Sequence, residues 1–129
     1  MASGRRKTPS VARHLELAKA NQDAFKIMRA SKPPVWHWAG TALFYSAVHY
    51  TDALLLTRGE PSAANHDERW RQLDRQVDDE YMRHYGALKD LSEDWRYYGV
   101  ERDGQYLDLA RVGHHAPIER AVDSSVPKK

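Results

Sequence analysis

The chain contains no cysteine. That excludes disulfide staples, thiolate zinc sites, iron–sulfur clusters and thiol nucleophiles, and it fits a reducing, cytoplasmic setting. Glycines and prolines are few and form no phosphate-cradling loop, and there is neither a nucleophile elbow nor a Ser/His/Asp pattern, so P-loop and serine-hydrolase chemistry have no support. No stretch alternates polar and apolar residues as a half-buried strand does, and no segment repeats. The start, Met1–Thr8, is basic and polar with no apolar run behind it, so no export signal is expected.

Long hydrophobic runs are equally scarce; there is one, Val35–Leu56. It is long enough to span a bilayer. However, His37, His49 and Asp52 would place ionisable groups at bilayer depth, where they are costly, and Gly40, Thr41, Ser46 and Thr51 dilute it. The expected setting is therefore water, with no membrane. A helix that is apolar nearly all round is buried on several sides, so its few polar groups need partners or a task.

Excess charge is lacking too. The formal net charge is +2, but six of the 20 basic residues (Arg5, Arg6, Lys7, Arg13, Lys128 and Lys129) lie in the end segments. The 14 that remain stand against all 18 acidic residues, which leaves residues 14–127 at −4. The body is no basic nucleic-acid platform, and phosphate contacts would need a local patch or the basic arm, because phosphate affinity scales with the cations engaged.

What is present is helical periodicity. At 129 residues the chain suits one domain with a core that needs no staples. Residues 1–9 read as a flexible basic arm ending in Thr8 and Pro9, a helix-start pair. Val11, Leu15, Ala18, Phe25 and Met28 then mark one face of a helix running to about Ala30, with Lys19, Asp23 and Lys26 elsewhere. Pro33 and Pro34 break it and open a second helix that ends near Arg58 and Gly59. In this central helix Trp36, Gly40, Leu43, Ala47, Tyr50 and Leu54 form a stripe, and Ala39, Ala42, Ala53 and Leu56 extend the burial. Asn65 with Glu68 reads as a capping box. Trp70, Leu73, Val77, Tyr81, Tyr85, Leu88, Leu91, Trp95 and Tyr98 then keep helical spacing without interruption. A single rod of that length would leave much of its stripe unburied, so a break is expected near Val77–Asp79, with Asp78 as the cap. Gly99, Asp103 and Gly104 end the pattern; Gln105–Asp123 reads as a looser segment with a short helix around Pro117–Val122, and 124–129 as a disordered tail. The expected fold is all-α, an antiparallel four-helix bundle over 10–123 with a short extra C-terminal helix.

Phe44–Leu55, with Tyr45, His49 and Asp52 in it, resembles the second helix of HEPN domains, small helical bundles of prokaryotes. Asn65-His66-Asp67-Glu68-Arg69 is similar to the start of their third helix, and Tyr85–Tyr98, with Leu88, Ser92 and Arg96, to the end of their fourth. The resemblance covers about residues 10–100 and implies RNA cleavage, nucleic-acid or nucleotide binding, or partnership with a nucleotidyltransferase-like protein in toxin–antitoxin or defence systems. Ribonuclease members of the family resemble one another in an Arg followed by a His after four to six residues. This chain departs from that pattern: Arg29–His37 and Arg58–His66 each have one intervening residue too many and cross a loop, and Arg111–His115 has too few. An accessory, non-catalytic role is the expectation.

Three constellations could carry chemistry. Tyr45 and His49 share a helix face with Asp52, and His49 is either a proton acceptor or phosphate contact, or part of a buried cluster closed within itself or onto the Arg96 region. His66 and Arg69 could offer an imidazole and a guanidinium to an anion at a helix start, or form a solvated first turn with Asp67 and Glu68. Arg96 and Tyr97, beside Trp95 and Tyr98, suit base stacking and phosphate grip, or else core packing with Arg96 paired to Asp52 or Glu93. The catalytic candidates, if the chain cleaves RNA, are His66 with Arg69 or His49 with Arg96. No cofactor is expected. The best metal-ligand sets, His66 with Asp67 and His114 with His115, lack the spacing of a known site, and adjacent histidines usually point apart. Stripes this rich in Trp and Tyr expose more apolar surface than a small monomer should, so a homodimer is expected, with RNA, a nucleotide or a purely structural interaction as the remaining alternatives.

Overall fold

The computed structural model describes residues 8–100 and 102–127. The first seven residues of the basic arm and the last two of the tail lie outside them. Every regular element described is helical: α1 (Val11–Ala30), α2 (Trp36–Thr57), α3 (His66–Gln76), α4 (Asp79–Tyr98), α5 (Gly104–Ala110) and α6 (Ala116–Ser125). A π-helical turn at Arg111–His115 joins α5 to α6 without a break.

Local sequence explains most of the helix ends. The cap of α1 is Ser10, whose Oγ accepts from the Arg13 amide at 3.1 Å, one residue beyond the expected Thr8–Pro9 pair. Asn65 Oδ1 accepts from the Glu68 amide at 2.8 Å, and Glu68 Oε1 accepts from Ala64 N at 3.2 Å, a capping box whose return bond reaches one residue further back than usual. Asp78 Oδ1 accepts from Tyr81 N at 2.9 Å, so the uninterrupted stripe is divided into α3 and α4 at the cap. Gly99, at φ 67°, takes the left-handed conformation that ends α4.

The bundle is organised around α2, which contacts α1, α3, α4, α5 and α6. Thirteen of its 22 residues are buried, so most of its surface is covered by the other helices. Gly40 sits where α2 meets α4 and α5: a Cβ there would stand 3.3 Å from Leu107 Cδ2 and 3.4 Å from Leu91 Cγ. Gly40→Val should therefore overpack the core and lower stability by about 1–3 kcal/mol. A urea midpoint unchanged by the substitution would show that this contact is slack. No helix among the described residues is long and apolar enough to cross a membrane.

Two expectations are corrected. Gln105–Asp123 is not loose: it is helical throughout, and Leu107, Ala110, Ile118 and Val122 are core residues. Asp103 caps α5 through Tyr106 N at 2.9 Å, and Pro117, which has no amide hydrogen to give, directly follows the wider π turn inside the continuous helix. The helix continues through Ser124 and Ser125, and Val126 is buried, so the ordered unit extends past residue 123 into the segment expected to be a tail. Conversely, Trp70 and Tyr98 belong to the predicted core stripe yet are 40% and 76% exposed. Tyr97, Tyr98, Gly99 and Val100 are all exposed, so the last turn of α4 lies outside the core.

Candidate functional site

Tyr45, His49 and Asp52 lie four and then three residues apart, so α2 presents them along one face. Each finds its partner on a different helix, not among the other two. Tyr45 Oη accepts from Arg96 Nη1 of α4 at 3.3 Å. His49 Nδ1 faces His14 Nδ1 of α1 at 3.0 Å. Asp52 takes two bonds from Arg69 of α3, Nε to Oδ1 at 2.7 Å and Nη2 to Oδ2 at 3.2 Å. The expected pairing of Arg96 with Asp52 or Glu93 is thus corrected: Asp52 is taken by Arg69, and Glu93 by Lys89 at 2.8 Å.

The Asp52–Arg69 pair is the electrostatic centre of this face. Its side chains are only 14% and 10% exposed, and the fork geometry uses two donors of the guanidinium on two carboxylate oxygens. A third nitrogen, Arg69 Nη1, lies 3.0 Å from His66 Nδ1. Arginine can only donate, so His66 Nδ1 is the acceptor and a neutral His66 carries its proton on Nε2. Burial, then the charges of Arg69, Lys89 and Arg96, hold the His66 imidazolium form below its ordinary range. His66 is accordingly a neutral N–H donor at Nε2 near pH 7, not a proton acceptor there.

Arg96 is placed differently. Its guanidinium lies 5.7 Å from the Tyr45 ring centroid and 5.2 Å from that of Tyr97, it is partly buried, and its Nε has no hydrogen-bond partner. The nearby acids of α4 are engaged elsewhere, Glu93 with Lys89 and Asp94 with Arg102 at 3.2 Å. No carboxylate among the described residues pairs with Arg96. It is a cation with donors to spare, flanked by two aromatic faces, one of them the exposed Tyr97.

A scan against protein families finds none that matches this chain, and no curated protein matches it either. Function has to be read from the side chains.

The catalytic pairs considered from sequence are brought together unequally. His66 and Arg69 are in contact, but Arg69 is committed to Asp52 and His66 presents a donor. His49 is bonded to His14 and Arg96 to Tyr45, so those two do not form a pair of their own. Asp67 is exposed while His66 turns to Arg69. His114 and His115 part, His114 Nδ1 meeting His84 Nδ1 of α4 at 2.9 Å and His115 Nε2 meeting Ser46 Oγ of α2 at 2.8 Å.

Sequence reasoning missed His14 and Ser46, and weighed His115 only as a metal ligand beside His114. His14 falls between Val11 and Ala18 at spacings of three and four, on the apolar face of α1, and that spacing was the available signal. Ser46 and His115 are fully buried, which looks at first like a nucleophile and its base. The proton runs the wrong way for that. Ser46 Oγ donates to the Ala18 carbonyl at 2.7 Å, so His115 Nε2 must donate to Ser46 and cannot withdraw its proton. The pair is a satisfied core contact, with His115 Nδ1 left without a partner.

Proposed function

We propose that this chain is a HEPN-like accessory domain, an antiparallel four-helix bundle with an appended C-terminal helical segment, that binds RNA or a nucleotide in a cytoplasmic toxin–antitoxin or defence setting. Arg96 carries the reading: a cation without a carboxylate partner among the described residues, between the rings of Tyr45 and Tyr97 and beside the His66 N–H donor. Such a group grips a phosphate while an aromatic face stacks a base. The surrounding body is net acidic, so this local patch and the basic arm are what an anion would find.

Two features separate this reading from an active, metal-independent ribonuclease. His66 lacks a basic nitrogen toward solvent, and Arg69 spends its fork on Asp52, so the base and the free cation that 2′-hydroxyl attack needs are not on one pair. A purely structural interaction module is favoured instead by the exposed Trp38, Tyr97, Tyr98 and Val100, which also support a homodimer or docking of a nucleotidyltransferase-like protein.

The test is binding of a labelled single-stranded RNA, in chelator, at two salt concentrations. Arg96→Gln is expected to weaken binding about tenfold and to make the dependence of log K on log salt shallower by roughly one, while Arg120→Gln on the exposed side of α6 leaves both nearly unchanged. Absence of salt-sensitive binding by the wild type would leave the interaction module standing. Cleavage in chelator that disappears in His66→Ala would establish the ribonuclease.

A further inference from the structure

His14 on α1 and His49 and Asp52 on α2 each offer one donor atom, and the three atoms all lie within 4.8 Å of one another. Among the described residues no other group of three such side chains meets this condition. The two imidazoles face each other through Nδ1 at 3.0 Å. Around a tetrahedral ion with metal–nitrogen bonds of about 2.0–2.1 Å, neighbouring donors stand roughly 3.3 Å apart, so these nitrogens need to open by only a few tenths of an ångström. The proton they share is the one a metal displaces.

The supporting groups are also in place. His14 is buried and rides on a helix packed along α2, whereas His49 and Asp52 are partly open to solvent. Asp52 is held by the Arg69 fork, which leaves each carboxylate oxygen a second lone pair and fixes the orientation of the group, as the partner of a ligating carboxylate does.

We propose that His14, His49 and Asp52 form a three-ligand site for a divalent cation of the Zn²⁺ class, with a fourth position left for water. Two imidazoles and one carboxylate select a borderline ion over Ca²⁺ or Mg²⁺, which take oxygen donors. The site is independent of the RNA reading, whose assay is run in chelator.

The test is calorimetric titration of the full chain with Zn²⁺, together with the histidine ¹H–¹⁵N spectrum of the wild type. One ion per chain is expected, with the Nδ1 resonances of His14 and His49 moving on saturation. His14→Asn and His49→Asn should each weaken binding at least tenfold. His84→Asn should not, because the facing pair His84 and His114 repeats the imidazole contact at 2.9 Å without belonging to a three-ligand group. Absence of binding overturns the proposal, as does wild-type affinity in both His14→Asn and His49→Asn, or movement confined to His84 and His114. The spectrum of the wild type decides the matter should either variant fail to fold.

Discussion

Arg69→Met is expected to destabilise the protein by about 3–5 kcal/mol, because it leaves the mostly buried, charged Asp52 without its partner. The side chains of this pair are 10% and 14% exposed, and Arg69 donates a hydrogen bond to each Asp52 carboxylate oxygen. The Asp52 charge is then left poorly solvated, which costs stability. The same substitution also removes the donor to His66 Nδ1. An exposed pair gives the contrast: the side chains of Arg29–Asp108 are 33% and 54% exposed, and breaking that pair should cost far less. Urea denaturation of Arg69→Met beside Arg29→Met measures the difference. The double variant Arg69→Met with Asp52→Leu should recover much of the loss, since the penalty comes from a stranded charge more than from a missing attraction. Equal, small effects for Arg69→Met and Arg29→Met would show that Asp52 is solvated after all.

Stability should fall as the pH drops from about 6.5 toward 4, with His115 the largest single contributor. Burial, followed by the charge of Arg111, lowers its pKa from 6.5 to about 4. In the unfolded chain the same imidazole takes up its proton near 6.5, so between those values the unfolded state binds more protons and stability rises with pH. The contribution of His115 is fully present above about 6.5, is lost as the pH falls through the interval, and amounts to about 3 kcal/mol by pH 4. His14, His49, His66, His84 and His114 are all lowered as well, each mainly by burial, so they act in the same direction. The two facing pairs sharpen the effect, because a proton on both rings of a pair sets two cations at hydrogen-bond distance. Urea midpoints at pH 7.5, 6.5, 5.5 and 4.5 measure the loss. A flat profile from 7.5 to 5.5 would contradict burial of these rings. His115→Gln should flatten the lower part of the curve whatever it does to stability at pH 7.5.

Much of the helix layout was legible in the sequence because caps are local. Asn65 with Glu68, Asp78 and Gly99 each act within three or four residues, and the structure uses all three at or next to the expected positions. The C-terminal segment was misjudged for the opposite reason. Gly104, Gly113 and Pro117 are breakers by local rule, but Leu107, Ala110, Ile118 and Val122 are buried against the rest of the bundle, and that packing carries a continuous helix through a π turn. Trp70 and Tyr98 erred the other way: their spacing marks a helix face without saying how far its neighbours extend.

The polar face of α2 divides along the same line. That Tyr45, His49 and Asp52 share one side of an apolar helix follows from their spacing, since a rise and turn per residue are properties of the backbone alone. That His14, Arg69 and Arg96 come to meet them from α1, α3 and α4 is set by the packing of the helices and is not legible in any spacing. Partner choice across helices depends on how far each side chain reaches once the core has set the spacing, and no sequence interval encodes a distance between residues 17 to 51 positions apart.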